Sequence, residues 1–217
     1  MSPGAGDSLG SDDVRAAAVG RVLARPLVAR LAERLAVREA RGIEPGSGGR
    51  RAAVALLLRA RDREPVELLM IKRATYAGDP WSGHVALPGG RQEPGETLEQ
   101  TAIRETFEET SLDLSHHGVL LGRLDDVQPR VVSLPRLVIT PFVGAMAGDG
   151  ALTLSDEVAE AFWISIDALR APEATRDVVL ELTGGPRRVP AFEHGGRTIW
   201  GLTERILRQF LALTSTE

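Results

Sequence analysis

Three glutamates, Glu105, Glu108 and Glu109, stand three and four residues apart in a stretch whose apolar positions repeat at helical spacing. On a helix that spacing brings the carboxylates onto one face, where each pair repels by about a few tenths of a kcal/mol. The acids also fall in the last turns, where the helix dipole disfavours negative charge by roughly 0.3–1 kcal/mol each. A helix with only a structural duty would carry Lys or Arg there. A divalent cation removes both penalties, and an oxygen-only ligand set suits Mg²⁺ or Mn²⁺. The competing reading is a solvated acidic face in which Arg104 pairs with Glu108 at i, i+4. Upstream, Pro88-Gly89-Gly90 reads as a tight turn whose exposed carbonyls can add a ligand.

Positioning these acids requires a helix from about Thr97 to Thr110, with Leu98, Ala102, Ile103 and Phe107 on its packing side. Before it, 52–58 and 68–71 are apolar runs that read as strands, joined as a hairpin through polar residues 59–65. A loop rich in Gly, Pro and Trp runs from Ala77 to Gly90. Further strands are expected at 119–124, 137–144 and 178–182, with an amphipathic helix over 203–211. Strands and helices alternate without a regular βαβ repeat. That favours an α/β/α sandwich with a mixed sheet over a parallel doubly wound fold. The expected organisation is a disordered tail over 1–11, a helical extension over 12–41 interrupted at Pro26, a linker over 42–50, and one domain over 51–214.

Bulk properties exclude several classes. With 43% hydrophobic and 26% charged residues in 217, the composition is that of one globular domain with additions. A net charge of −4 argues against nonspecific nucleic-acid or anionic-membrane binding. No apolar run approaches the roughly 18–20 residues that span a bilayer. The small, acidic start from Met1 to Asp13 does not read as a signal peptide. The absence of cysteine removes disulfides, thiolate metal sites and cysteine nucleophiles, and fits a cytoplasmic protein. The N-terminal helix is the one segment that suggests a homodimer contact.

The run from Gly90 through Glu96 to Arg104-Glu105-Thr106-Phe107-Glu108-Glu109 resembles the Nudix box, Gly-x5-Glu-x7-Arg-Glu-U-x-Glu-Glu-x-Gly-U, where U is aliphatic. Gly90, Glu96, Arg104, Glu105, Glu108, Glu109 and Leu112 fall at their places, whereas Thr106 replaces an aliphatic residue and Ser111 replaces the glycine. That glycine closes the helix in a left-handed conformation, so Ser111 costs about 1 kcal/mol there. The resemblance implies a Nudix-type fold and a pyrophosphohydrolase. It implies that Glu105, Glu108 and Glu109 hold one to three divalent ions with the Gly90 carbonyl. Arg104 would then orient a glutamate, and Glu96 would support from the helix start. The general base is a box glutamate in some relatives and comes from a later loop in others. Glu157 and Glu160 are the later candidates, with an exposed acidic turn as their alternative.

Two stretches outside the box, 70–90 and 199–207, resemble the coenzyme A pyrophosphatase-like subfamily. The likeness implies coenzyme A or an acyl-CoA as substrate, cut to 4′-phosphopantetheine and 3′,5′-ADP. Asp79 stands where that subfamily has arginine, and Leu87 where it has phenylalanine. Lys72 and Arg73 are the candidate phosphate cations, Trp81 a stacking platform and His84 a phosphate contact; each has a packing or solvated alternative. Trp163 and Trp200 read as core, and His116-His117 as surface. Other nucleotide diphosphates (ADP-ribose, NADH, dinucleoside polyphosphates) remain competing substrates. A noncatalytic nucleotide sensor is the competing class, although such proteins usually lose box carboxylates that are all present here.

Overall fold

The computed structural model describes residues 11–61, 64–78, 81–129, 136–147, 150–182 and 185–215. The tail expected over 1–11, Ser11 apart, lies outside the described residues, as does Asp79.

The centre of the molecule is the strand β1 (Arg50–Arg59), whose unbroken run from Ala52 to Leu58 suits a strand covered on both faces. Along one side it pairs in parallel with β6 (Leu137–Met146), which is buried along its whole length. Along the other it meets β2 (Glu67–Arg73) only at Leu58↔Leu68 and Arg59↔Glu67. Beyond those pairs the two strands part. Two short strands from the expected 77–90 loop fill the gap, β3 (Val85–Ala86) on β2 and β4 (Gly89–Arg91) on β1. The tight turn expected at 88–90 is a bend at Pro88 that leads directly into strand β4 at Gly89 and Gly90. The splay exposes β1 backbone groups that need partners, and the Ala55 N–H donates to the Pro88 carbonyl at 2.8 Å. On the outer sides β5 (Gly118–Arg123), entered through the one-turn helix α4 (Leu114–His117), pairs with β6, and β7 (Val158–Ser165) runs along β2. All pairings but β1–β6 are antiparallel, so the sheet is mixed.

Alternation along the strands sorts side chains between two faces. Leu57 and Leu69 point to the face covered by α3 (Leu98–Thr110), and Leu56, Leu58, Leu68 and Met70 to the other. That second face is closed by α1 (Ser11–Leu23), α2 (Pro26–Val37) and α6 (Gly201–Thr214). The result is an α/β/α sandwich. Pro26, lacking an N–H and fixed in φ, separates α1 from α2 and occupies the first turn of α2. Val28, Leu31 and Leu35 are buried in one cluster with Leu207 and Phe210. The helices expected as an extension thus form a layer of the sandwich, and the apolar face of α2 is consumed within the chain.

Between β7 and α6 the sequence reading expects only the strand at 178–182, which is part of β8 (Thr175–Leu182). The segment after β7 forms α5 (Ile166–Arg170). A separate antiparallel sheet of β8, β9 (Gly185–His194) and β10 (Arg197–Trp200) follows, with β10 against β3 and β9 against α6. Among the described residues no helix is long and apolar enough to cross a membrane.

Helix α3 opens on a reciprocal cap: the Gln100 N–H donates to Thr97 Oγ1 at 3.2 Å, and the Thr97 N–H to the Gln100 side chain at 2.8 Å. Its buried face is Thr101, Ala102, Thr106, Glu109 and Thr110, whereas Phe107, expected to pack, is 50% exposed. Thr106 fits the core position because its hydroxyl is satisfied inside the helix by the Ala102 carbonyl at 2.7 Å. At the other end Ser111 takes φ 59° and ψ 17°, the only non-glycine with positive φ among the described residues. A side chain in that region is strained, and Ser111→Gly should raise stability by about 1 kcal/mol. Denaturant melts of the two proteins check this; a Gly variant less stable than wild type would mean that the Ser111 hydroxyl, which donates to the Thr153 carbonyl at 3.2 Å, outweighs the strain.

Candidate active site

The last turns of α3 lie against β4, and glycine makes the approach possible. A Cβ on Gly89 (φ 150°) would stand 2.3 Å from the Ala53 carbonyl oxygen, and one on Gly90 about the same from the Glu105 carboxylate. On the helix side Ala102 clusters with Ala53 and Phe142, a small residue allowing close packing. Glu109 is buried, 4% exposed, and accepts the Gly89 N–H at 2.9 Å. Burial is the largest influence on it and pushes its pKa up to about 8, against the opposing Gly89 hydrogen bond and the nearby Arg73 charge; Glu105 and Glu157 push it up further. Glu105 is raised too, first by burial, with Arg104 opposing.

Arg104 binds three carboxylates from the middle of the helix. Its Nε donates to Glu96 Oε1 at 2.6 Å, and its Nη1 to Glu105 at 3.0 Å and Glu108 at 2.8 Å. Nη2 reaches Glu96 at 3.1 Å and the Arg91 carbonyl at 3.1 Å. The pairing with Glu108 considered as an alternative at the sequence level is present, within a larger network. Glu96 also accepts from Thr101 at 2.9 Å and the Glu93 N–H at 3.1 Å. Foremost through the Arg104 bond, its carboxyl is held down at about 2, and Glu96 in turn raises the Arg104 pKa. Glu108 is exposed.

The fit to a divalent cation rests on donor chemistry. All the ligand candidates are oxygen, and two of the carboxylates are buried enough to resist ionisation without a compensating charge. Among the described residues no three acidic or histidine groups already stand as a ready-made cage. Arg104 draws Glu105 and Glu108 together, while Glu109 is held by Gly89.

The structure separates the two later acids. Residues 160, 162 and 164 of β7 share a face, and Phe162 and Ile164 belong to the core on the side away from α3. Glu160 therefore leaves the box side: opposite Lys72 in the ladder, it pairs with Arg197 of β10. After the register shift between Lys72 and Arg73, the Ala74 N–H donates to the Glu157 carbonyl at 2.8 Å. The Glu157 charge bears on both Glu105 and Glu109. Arg73 lies on the box side and Lys72, exposed, on the other.

Trp81 is half-buried against the main core, and His84 packs on Trp200 with ring centroids 4.8 Å apart. Trp163 is half-buried, with the Arg59 guanidinium 3.9 Å over its ring, and His116 is exposed. Sequence reasoning missed Arg197 altogether; its only signal is position, three residues before Trp200.

A mixed-sheet sandwich carrying this carboxylate helix defines a Nudix-type hydrolase. The family model of the NUDIX domain matches residues 49–182, and the chain belongs to that family. It is 31% identical over 172 residues to Nudix hydrolase 3 of Caenorhabditis elegans, covering 69% of this chain and 68% of that protein. An uncharacterized protein of Schizosaccharomyces pombe is 30% identical over 162 residues, covering 64% of this chain and 48% of the relative, so the chain spans about half the length of that protein. The crystal structure of a MutT/nudix family protein from Enterococcus faecalis shares the fold, with a TM-score of 0.52 and 19% identity over 84% of this chain and 67% of that one. Helices α1, α2 and α6, which close one face of the sheet, lie outside the range matched by the family model.

Glu109 generates a pH prediction for the metal-free protein. Its folded pKa lies above the unfolded value, so the native state holds a proton that the unfolded state releases. Stability from this group is complete below about pH 4.5 and is lost as pH rises through about 8. Glu96 and Asp113, both held at about 2, have completed their opposite contribution by then. In EDTA, wild type should lose stability relative to Glu109→Gln between pH 5 and 8, on the order of a few kcal/mol. Gln retains an acceptor for Gly89. Parallel stability–pH curves for the two proteins would show that Glu109 is not a buried uncompensated acid.

Proposed function

We propose that this chain is a divalent-metal-dependent pyrophosphohydrolase that cuts the diphosphate linkage of a nucleotide derivative, with coenzyme A or an acyl-CoA as the leading substrate. The observation that carries the reading is the packing of Glu105 and Glu109 against Gly90 and Gly89, where burial raises the pKa of Glu109 to about 8. Glu105, Glu108 and Glu109, with the Gly90 carbonyl, are the groups that would hold Mg²⁺ or Mn²⁺. When bound, the metal supplies charge neutralisation of the diphosphate and a lowered pKa for the attacking water. Arg104 fixes the box carboxylates relative to one another, and Glu96 fixes Arg104. Glu157 is the better-placed acceptor of the water's proton, because its charge bears on the box while Glu160 is engaged by Arg197. Support for coenzyme A comes from the meeting of the two stretches that carry that likeness, His84 from one and Trp200 from the other.

Glu108→Gln should lower kcat by at least about a hundredfold in Mg²⁺ while thermal melts show an intact fold, because Glu108 is exposed and has no packing duty. Wild-type turnover in the folded variant would remove the box from the chemistry. A panel of coenzyme A, ADP-ribose, NADH and diadenosine polyphosphates under one metal condition, with products identified by mass, tests the substrate. Coenzyme A should rank among the better substrates by kcat/KM; if it does not, another nucleotide diphosphate takes its place. Metal-dependent binding without turnover of any member would point to the sensor.

A further inference from the structure

On the face of the sheet away from α3, one carboxylate is shared by two cations. Arg197 of β10 binds Glu160 bidentately, with Nε to Oε2 at 3.2 Å and Nη2 to Oε1. Lys72, opposite Glu160 in the β2–β7 ladder, adds a second positive charge to the same acid. The group therefore carries one net positive charge. The Arg197 guanidinium lies 4.4 Å over the ring of Phe162, a stacking that fixes its plane. Three of its five N–H donors are used, the third by the Gly195 carbonyl at 3.1 Å, and the side chain keeps 29% exposure. This cation is not remote from the box. Lys72 is followed by Arg73, whose charge bears on Glu109, and β10 continues to Trp200 against His84 of the segment leading to Gly89. The two faces of β2 thus carry charge at the same strand end, the box on one and the Arg197 group on the other.

We propose that Arg197, with Lys72, forms a phosphate subsite that recognises a phosphomonoester on the ribose of the nucleotide half of the substrate, and that Glu160 holds Arg197 in place and moderates its charge. The proposal rests on the diphosphate-hydrolase reading above and adds to it a specificity-determining cation. Glu160, a candidate base at the sequence level, becomes a positioning residue. A planar guanidinium fixed by a ring and a carboxylate suits a phosphate dianion, and binding there acts on ground-state affinity rather than on the bond that breaks.

The test compares substrates that differ only by that phosphate, coenzyme A with dephospho-coenzyme A and NADPH with NADH, the second pair separating a 2′- from a 3′-phosphate. Wild type should favour the phosphorylated member of at least one pair by roughly tenfold in kcat/KM, through KM. Arg197→Gln should bring that ratio near one, with Arg197→Lys intermediate. Glu160→Gln should lower KM for the phosphorylated member. A second readout needs no turnover: calorimetric affinity for adenosine 3′,5′-bisphosphate and adenosine 2′,5′-bisphosphate against AMP should show the same preference and its loss in Arg197→Gln. If no diphosphate is cleaved, the hydrolase reading fails while the affinity arm still decides the subsite. The subsite is overturned if wild type shows no preference in either arm. It is likewise overturned if a folded Arg197→Gln keeps the preference, or if Glu160→Gln loses about a hundredfold in kcat with KM unmoved, which would make Glu160 the base.

Discussion

The close approach of a glycine strand to the end of a helix sets most of this architecture. Strands β1 and β2 pair for two residues and then part, and the opening between them admits β4. Because Gly89 and Gly90 lack side chains, β4 lies directly on β1 on one side and under Glu105 on the other. The Gly89 N–H then has Glu109 as its acceptor, and a carboxylate that would otherwise stay in water is drawn below the surface. Any side chain at Gly90 would displace Glu105, and one at Gly89 would part β4 from β1. Backbone geometry and acid placement are therefore one constraint.

The same strand end divides the charged residues between two environments. Arg73 and Glu157 bear on the carboxylates under α3, whereas Lys72, Glu160 and Arg197 meet beside Phe162 on the opposite face. Two acids only three residues apart, Glu157 and Glu160, thus acquire different partners, and the register shift between Lys72 and Arg73 falls at that division. Sequence proximity says little about shared chemistry where a strand alternates its faces.

That alternation marks the limit of what the residues alone convey. The box helix is legible because its acids, its cap at Thr97 and its end at Ser111 all fall on one local periodicity. Its orientation is less so: Phe107 looks like a core residue by type, yet the contact with β4 turns Thr106 and Glu109 inward and leaves Phe107 half exposed. Strands β3 and β4, of two and three residues, are too short to carry a pattern. Strand β9 hides for another reason. Pro186 and Pro190 interrupt its alternation, and its first half is largely exposed. The partner of Glu160 is 37 residues distant, so nothing local announces it. The contact of His84 with Trp200 joins residues 116 positions apart, and no local pattern in either stretch announces it.

The electrostatic balance of the box is uneven along the helix. Among the described residues, five carboxylates (Glu96, Glu105, Glu108, Glu109 and Glu157) face two guanidiniums, Arg104 and Arg73. Arg104 spends its strongest bonds on the helix start, where Glu96 is held ionised down to about pH 2. Toward the helix end Glu105 receives one bond from that same arginine, and among the described residues Glu109 receives a backbone N–H and the pull of the Arg73 charge. Helix polarity works in the same sense, since the dipole opposes negative charge at this end. A proton on Glu109 is one answer to the deficit and a divalent ion is another, but only the ion also relieves the repulsion among Glu105, Glu108 and Glu157. The contrast between a satisfied helix start and an unsatisfied helix end is what the proposed metal would resolve, because an ion there would offset the Glu109 charge that otherwise requires a proton.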